Sequence, residues 1–280
     1  MTQSPFHGGT AVITGAGSGL GASMVERFAA AGMNILALDI DGASAEDTAQ
    51  KVRKDGGQAV AMRVDVANAD ELAAAARLAA DRFGGCSVLC ANVGVQQFGA
   101  IERLTEQDWQ WVIDVNVMGV IRTVAAFLPL IRETSGERRI AITSSSGALM
   151  PGVRMAAYTA SKYAVTGYSE TLRMELAEEG IGVSTVFPAG MITRHLESSI
   201  KARPAELGPS ELRQEDIEAM MASRDMDTTS HVATADHATR HLLADLAANE
   251  RFIVTHGEYR QQLTDYCDAI LRAHDRGQES

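Results

Sequence analysis

The strongest candidates for chemistry in this sequence are a tyrosine and a lysine four residues apart. Tyr158 and Lys162 fall in a stretch of helical periodicity, so both side chains project from one helix face and their polar ends can approach each other. A phenol, which normally titrates at about 10, and an ammonium are groups that can take part in acid/base chemistry. The spacing alone is common. Ser144, Ser145 and Ser146 add weight, because they follow a predicted strand at its carboxyl end, where open α/β sheets place their active sites.

A glycine-rich segment predicts a site for a dinucleotide. Thr14-Gly-Ala-Gly-Ser-Gly-Leu-Gly21 follows the first predicted strand directly and leads into an alanine-rich helical stretch. Glycines allow the backbone to approach a pyrophosphate closely, and the free N–H groups at the start of the helix stabilise the anion. The alternative is a glycine-rich turn that binds nothing.

An acidic residue at the end of the second predicted strand indicates which dinucleotide is bound. Asp39 lies at the distance from the glycines at which a carboxylate accepts hydrogen bonds from the adenosine ribose. A 2′-phosphate would face this carboxylate, and neither Ser18 nor Ile40 offers a cation, so NAD is the expected cofactor. The alternative is that Asp39 caps the next helix, although Asp41 is the better capping candidate.

The elements that must position these residues alternate between strands and helices. This pattern predicts an α/β fold, a single Rossmann-type doubly wound parallel sheet of about seven strands with helices on both faces. The predicted strands are Thr10–Thr14, Asn34–Asp39, Ala59–Val64, Ser87–Ala91, Arg139–Thr143, Gly182–Phe187 and Phe252–Thr255. The predicted helices are Gly19–Ala31, Ala43–Asp55, Ala69–Phe83, Thr105–Arg132, Ala156–Glu179, Thr234–Ala248 and Glu258–His274. Thr105 and Asp108 form a capping pattern, and Pro129 should kink or end its helix.

One segment interrupts this alternation. Residues 190–230 contain Pro204, Pro209 and a group of methionines, and they predict an irregular helical insert in a single domain that spans residues 1–280. The methionines Met220, Met221 and Met226 could line an apolar pocket or fill irregular gaps, and the sequence favours neither.

Composition narrows the range of partners. A net charge of -11 and a pI near 5.1, with no basic run, argue against nucleic acid. The first residues lack the features of a signal peptide and no stretch reads as a membrane span, so we expect a cytoplasmic protein without a membrane partner. Cys90 is expected to be a buried thiol. His237 and His241 are expected to be solvated, and no metal is assigned.

Taken together, these motifs resemble the short-chain dehydrogenase/reductase family in its common form, over about residues 8–260. Besides the glycine segment and the Tyr158/Lys162 pair, the resemblance rests on further ordered positions: Asp65-Val66, Asn92-Val93-Gly94, Asn116, Ser145, Pro188 and Thr193. Two positions depart from the family pattern. Val93 replaces an alanine and Ala189 replaces a glycine, which puts the shape beside the nicotinamide in doubt more than the reaction.

The resemblance implies a role for each matching residue. Tyr158 would be the acid/base, Lys162 would favour its phenolate and bond the nicotinamide ribose, Ser145 would stabilise the substrate oxygen, and Asn116 would hold a water that links Lys162 to solvent. The implied cofactor-binding residues are Gly15, Ser18, Gly19, Leu20, Asp39, Asp65, Val66, Asn92, Gly94, Tyr158, Lys162, Pro188 and Thr193. Asp65 would bond the adenine amine, Asn92 would brace the strand ends, and Thr193 would contact the carboxamide, although a strand-end Asp or Asn is also a routine turn residue.

The resemblance also implies an activity. We expect an NAD-dependent oxidoreductase that interconverts a secondary alcohol and a ketone, with residues 190–230 as a substrate lid whose apolar content favours an apolar or aromatic substrate. A weaker similarity points to the branch that contains dehydrogenases of benzylic alcohols. The alternatives are a ketoreductase that runs in reverse and a catalytically silent NAD-binding sensor or scaffold. Family members usually form homotetramers or homodimers through their long helices, so self-association is expected.

Overall fold

The sheet is built from the strands that the sequence predicts. The computed structural model describes residues 4–193, 195–210, 212–222 and 232–278. Each predicted strand is present and agrees with its observed bounds to within one residue at each end. In chain order the strands are β1 (Thr10–Thr14), β2 (Asn34–Asp39), β3 (Ala59–Arg63), β4 (Val88–Ala91), β5 (Arg138–Thr143), β6 (Ile181–Phe187), β7 (Gly190–Met191), β8 (Val232–Ala233) and β9 (Phe252–Val254).

Helices connect these strands, and most of them match the predicted ones. They are α1 (Gly19–Ala30), α2 (Gly42–Lys54), α3 (Ala69–Phe83), α4 (Glu106–Ile113), α5 (Gly119–Glu133), α6 (Ala156–Leu176), α7 (His195–Ala202), α8 (Gln214–Ala222), α9 (Ala235–Thr239), α10 (Leu242–Ala247) and α11 (Arg260–Gln278). The capping box of Thr105 and Asp108 at the start of α4 is confirmed, since the Thr105 hydroxyl accepts from Asp108 N and the carboxylate accepts from Thr105 N. Pro129 does not end α5, which continues to Glu133.

Strand order creates the crevice in which a ligand can bind. The main sheet is parallel and has the order β3-β2-β1-β4-β5-β6-β9. From β1 the chain first builds outward to β3 and then crosses back to start the other half at β4. The carboxyl ends of β1 and β4 therefore flank the switch point of the sheet, the usual ligand position in this kind of fold. The predicted doubly wound parallel sheet of seven strands is confirmed.

Two predicted helices are interrupted. The helix expected over Thr105–Arg132 contains a π-helical turn at Asp114–Met118, where Gly119 N bonds to Asp114 O instead of to the carbonyl one residue later. The helix expected over Thr234–Ala248 is split between α9 and α10. The Thr239 hydroxyl hydrogen-bonds backbone carbonyls of α9 and also Ser23, and such local bonding competes with helix continuation.

Two apolar layers cover the sheet. One is formed mainly by α1, α9 and α10, with Met24, Phe28 and Leu242 among its buried residues. The other is formed by α3, α5 and α6, with Leu72 and Phe127 among its fully buried residues. Because both faces are covered, the strands are almost uniformly buried and leave only their ends for polar chemistry.

The expectation that no stretch reads as a membrane span needs a correction. The continuous helical stretch Glu106–Glu133 is long and apolar enough to cross a bilayer by length and composition. Its inward face, with Val120, Val124 and Ile131, is buried in the second apolar layer. A helix that packs in a protein core can have the same length and composition, so this stretch is weak evidence for a membrane span.

The predicted helical insert contains helices and is tied to the sheet at its base. Within its described part lie α7 and α8, and β7 pairs with β8 in a small parallel ribbon that joins the two ends of the insert. The His256 ring bonds the Gly190 carbonyl at 2.8 Å. Met220 packs against the apolar residues beside Tyr158. Met226 lies outside the described residues, as does the side chain of Met221.

Candidate active site

The loop after β1 has a backbone that only glycine allows. Gly15 has φ +68°, a backbone conformation that residues with a side chain rarely adopt. A Cβ on Gly21 would lie 2.0 Å from the Gly15 carbonyl oxygen, which is too close for any side chain. Ser18 is the N-cap residue of α1, and its side chain makes no capping hydrogen bond. The N–H groups of the first turn, which begins at Gly19 and Leu20, are therefore left to face an anion.

Asp39 is held against this loop. Its Oδ2 accepts from Gly17 N at 2.9 Å and its Oδ1 accepts from Asp41 N at 2.9 Å. Burial raises the pKa of Asp39 above its ordinary value, and the two backbone hydrogen bonds oppose that shift. Asp41, not Asp39, caps α2, since it accepts from Ser44 N. The carboxylate of Asp39 is therefore available to a ligand that lies over the glycine loop.

Asn92 braces three strand ends beside the switch point. Its amide nitrogen donates to Thr14 O at 3.0 Å, its Oδ1 accepts from the Thr143 hydroxyl at 3.1 Å, and its backbone N–H donates to Thr14 Oγ1 at 2.9 Å. These bonds join the ends of β1, β4 and β5. They fix the loop after β1 relative to the strand that precedes Ser145.

Tyr158, Lys162 and Ser145 meet at the end of β5. Lys162 Nζ donates to Thr143 O at 3.0 Å and lies 5.7 Å from the centre of the Tyr158 ring. The Ser145 hydroxyl oxygen accepts from Gly147 N at 3.0 Å. A Cβ on Gly147 would lie 3.4 Å from Ser145 Oγ and 3.6 Å from Tyr158 Cε1, so both side chains border the same residue. A hydroxyl, a phenol and an ammonium are thus gathered in one buried place.

Burial sets the electrostatics of this group. Lys162 is only 2% exposed, and desolvation lowers its pKa to about 8. It is still mostly protonated at pH 7, so a positive charge lies beside the Tyr158 ring. Tyr158 itself is 6% exposed and packs edge-on against Phe98, with 5.7 Å between ring centres.

Asn116 lies in the π-helical turn and is fully buried. Its Oδ1 accepts from Val95 N at 2.7 Å, and its amide nitrogen donates to Val95 O at 2.9 Å and to Ser161 Oγ at 3.0 Å. A Cβ on Gly94 would lie 3.0 Å from Lys162 Nζ and 3.5 Å from Asn116 Oδ1, so Asn116 and Lys162 border the same glycine. Both amide hydrogens are occupied, and any water that Asn116 holds must donate to an oxygen of this residue.

The remaining predicted residues divide into two places. Pro188 and Thr193 follow β6 close to the site: Pro188 O accepts from Ser146 N at 2.8 Å, and a Cβ on Gly19 would lie 3.3 Å from Thr193 Cγ2. Asp65 and Val66 follow β3, an edge strand that is separated from β5 by three other strands. The Asp65 carboxylate accepts from Ala67 N in a local turn, and Val66 is buried against Gly119.

Two residues of the site, Ser161 and His195, were not predicted from the sequence. Ser161 accepts from Asn116 and donates to Tyr158 O at 2.6 Å. Ser144, one of the three serines that the sequence singles out, donates its hydroxyl to Lys162 O at 3.0 Å. Burial, with a contribution from the charge of Lys162, lowers the pKa of His195 to about 4, so this histidine at the start of α7 is neutral. Ser161 lies three residues after Tyr158 on the same helix face, and this spacing could have indicated its role. No feature of the sequence pointed to His195.

Other reactive side chains lie elsewhere. Cys86 and Cys90 are buried and burial raises the pKa of each thiol, while His237 and His241 are exposed. In the part of the chain that the structure describes, no group of three or more His, Cys, Asp or Glu side chains could hold a metal ion.

Comparison with known proteins agrees with this geometry. A family profile described as short chain dehydrogenase matches residues 9–204, and the chain belongs to this family. A 3-oxoacyl-[acyl-carrier-protein] reductase of Synechocystis sp. is 33% identical over 69% of this chain and 78% of its own. A 3beta-hydroxysteroid dehydrogenase of Eggerthella lenta is 35% identical over 67% of this chain and 72% of its own. The crystal structure of a short-chain dehydrogenase/reductase from Burkholderia phymatum in complex with NAD has a TM-score of 0.86, 29% identity and 97% coverage of each chain.

Proposed function

We propose that this protein is an NAD-dependent dehydrogenase that interconverts a secondary alcohol and a ketone. The observation that carries the proposal is the buried group of Tyr158, Lys162 and Ser145 at the carboxyl end of β5, beside a glycine loop and an acidic residue suited to a dinucleotide. Named relatives that are oxidoreductases of hydroxyl and oxo groups support the reaction class.

The chain's own residues account for the proton and for the charge on oxygen. In alcohol oxidation the phenolate of Tyr158 takes the hydroxyl proton, while the ammonium of Lys162 stabilises that phenolate. The Ser145 oxygen already accepts from Gly147 N, so its own hydrogen is free to donate to the substrate oxygen. When bound, the nicotinamide supplies the acceptor for the hydride that leaves the carbinol carbon. Ketone reduction is the same exchange in reverse.

The glycine loop and Asp39 fit NAD. A Cβ on Gly17 would lie 2.9 Å from Asp39 Oδ2, so the loop and the acid form one close cradle. Arg63, which lies beside Asp39 in the register of β2 and β3, pairs with Glu71, and Lys201 pairs with Asp41. A ribose with both hydroxyls can donate to the carboxylate, whereas a 2′-phosphate would be repelled by it. The NAD complex of the Burkholderia structure supports the same cofactor.

Replacing Asp39 tests the cofactor assignment. We expect Asp39→Ala to weaken NADH binding by about 10- to 100-fold, because hydrogen bonds to a charged acceptor contribute about 1.5–3 kcal/mol. The variant should also lose most or all of the preference for NADH over NADPH. Binding is measured by quenching of protein fluorescence with each dinucleotide. Asp41→Asn is the matched control, since Asp41 caps α2 and pairs with Lys201 instead. A wild-type preference for NADPH would contradict the assignment.

The walls around Tyr158 favour an apolar or aromatic substrate. Phe98, Met155 and Tyr158 form a buried apolar cluster, and Leu212 and Met220 from the insert pack against it. We therefore propose that the insert is the substrate lid.

We also propose that oxidation of the alcohol is the working direction, because NAD pools are mostly oxidised. A panel of apolar and aryl secondary alcohols and ketones, followed by NADH absorbance, tests both points. Faster reduction than oxidation would favour the ketoreductase, and inactivity with tight NAD binding would favour a silent sensor.

We propose that the chain self-associates as a homodimer or homotetramer through its long helices. Part of α6 faces outward with exposed apolar groups, and Met174 is 70% exposed. Light scattering coupled to size-exclusion chromatography measures the mass directly. A monomer at micromolar concentration would contradict this proposal.

A further inference from the structure

A fully buried carboxylate in the insert links three separate segments of the chain. Asp216 lies in α8 and its side chain is 0% exposed. Arg103 Nη2 donates to Asp216 Oδ1 at 2.6 Å and also contacts Oδ2. Arg154 Nε lies 3.2 Å from Oδ1, and Arg213 N donates to Oδ2 at 3.1 Å. Two arginines from the body of the protein thus converge on one acid of the insert.

Each of these segments also forms a wall of the apolar cluster beside Tyr158. Arg103 ends the short 3-10 turn Ile101–Arg103, soon after Phe98, and Arg154 directly precedes Met155. The α8 helix that carries Asp216 also carries Met220. Phe98, Met155 and Met220 all pack in the cluster that contains Tyr158. The Asp216 carboxylate therefore connects three segments of the chain, and each of them contributes an apolar residue to the cluster around Tyr158.

The segment at Arg154 is held in an unfavourable conformation. Arg154 has φ +64°, a left-handed value that side chains other than Asn and Asp rarely adopt. Its carbonyl accepts from Gly99 N at 2.9 Å, which joins it to the Phe98 segment. Strain of this kind persists where surrounding contacts over-determine the backbone, and the ion pair with Asp216 is one such contact.

A second buried ion pair holds the other part of the insert. Arg203, just after α7, pairs with Asp108 of α4 at 2.7 Å, and the side chains are 7% and 6% exposed. Arg203 also donates to Gln97 Oε1 at 3.1 Å and lies over the Trp111 ring. The insert is therefore attached to the body through Arg203 as well as through Asp216, and of these two buried ion pairs the one at Asp216 lies next to the cluster around Tyr158.

We propose that Asp216 is a positioning residue that sets the shape of the substrate pocket by tying α8 to the segments of Arg103 and Arg154. Asp216 acts through the apolar walls, so it controls the binding of substrate and leaves cofactor binding unchanged. This inference rests on the proposed function, because it assigns the pocket beside Tyr158 to the alcohol. Removal of one partner from a buried ion pair leaves an uncompensated charge, which would displace the walls.

Asp216→Asn is the direct test, because it keeps the shape of the side chain and removes its charge. We expect the KM for the best alcohol to rise at least about tenfold, with the Kd for NADH changed less than about twofold. Hydrogen exchange of the α8 amides should accelerate. Glu215→Gln is the matched control, since Glu215 is the neighbouring acid, 3.5 Å from Arg103 but 62% exposed, and should leave KM and exchange unchanged.

Arg154→Asn provides a second variant if Asp216→Asn folds poorly. Asparagine tolerates positive φ, so this change removes the contact with Asp216 without adding backbone strain. We expect the same rise in KM with intact NADH binding. An unchanged KM in a folded variant, or an equal loss of NADH affinity, would overturn the role of Asp216. If the wild type oxidises no alcohol, the proposed function fails. Unchanged hydrogen exchange of the α8 amides in Asp216→Asn would instead contradict the proposal that Asp216 holds α8 in place.

Discussion

Tyr158→Phe should lower kcat by about 10²- to 10⁴-fold, the usual contribution of a general acid/base, while NADH binds as it does to the wild type. The variant removes one oxygen and keeps the ring, which packs edge-on against Phe98. Lys162 and its bond to Thr143 O also remain. The pocket therefore keeps its shape and loses only the group that accepts the substrate proton. Initial rates of NADH formation and fluorescence titration with NADH measure the two quantities.

Tyr163→Phe is the matched control for this prediction. Tyr163 lies on the same helix and is 37% exposed, whereas Tyr158 is 6% exposed. Its loss should leave kcat within about twofold of the wild type, as expected for a surface substitution. Retained turnover in Tyr158→Phe would refute the proposed mechanism.

Lys162→Met should abolish most turnover and yet make the protein without cofactor more stable at pH 7. Desolvation lowers the pKa of Lys162 from its ordinary value of 10.5 to about 8, which corresponds to an ammonium that is on the order of 3 kcal/mol less favourable in the folded protein. Methionine avoids this cost but leaves Thr143 O without its donor, a loss of about 1–2 kcal/mol. The expected net gain in the free energy of unfolding is about 1–2 kcal/mol.

The pH dependence identifies the cause of that gain. Between pH 8 and 10.5 the folded wild type binds fewer protons at this site than the unfolded chain, so its stability rises with pH. The advantage of Lys162→Met should therefore be largest below pH 8 and shrink as the pH approaches 10. Urea unfolding of both proteins from pH 7 to 10 measures it, and Lys51→Met, at an exposed lysine of α2, should show no such trend. A variant that is less stable than the wild type at pH 7 would contradict the assignment of Lys162 as a destabilising buried charge.

Much of this site is local in the sequence and was predictable for that reason. Tyr158 and Lys162 share a helix face because of their spacing, and the glycines after β1 are required by backbone geometry over a few residues. Cap residues are equally local, because they bond to the first turn of their own helix. The Asp41 cap of α2 and the Thr105/Asp108 capping box of α4 could therefore be predicted. The break between α9 and α10 could not be predicted from the sequence, because it involves a hydrogen bond between Thr239 and Ser23, which is distant along the chain.

Local features of the sequence are enough to predict the sheet, the glycine loop, Asp39 and the Tyr158/Lys162 pair, since periodicity, φ preference and helical spacing act between near neighbours. The hydrogen bonds of Asn116 to the Val95 backbone and the ion pairs of Asp216 with Arg103 and Arg154 are visible only in the folded protein. Those partners lie 21, 113 and 62 residues apart, and a buried charge or amide is satisfied by whatever group the fold brings beside it.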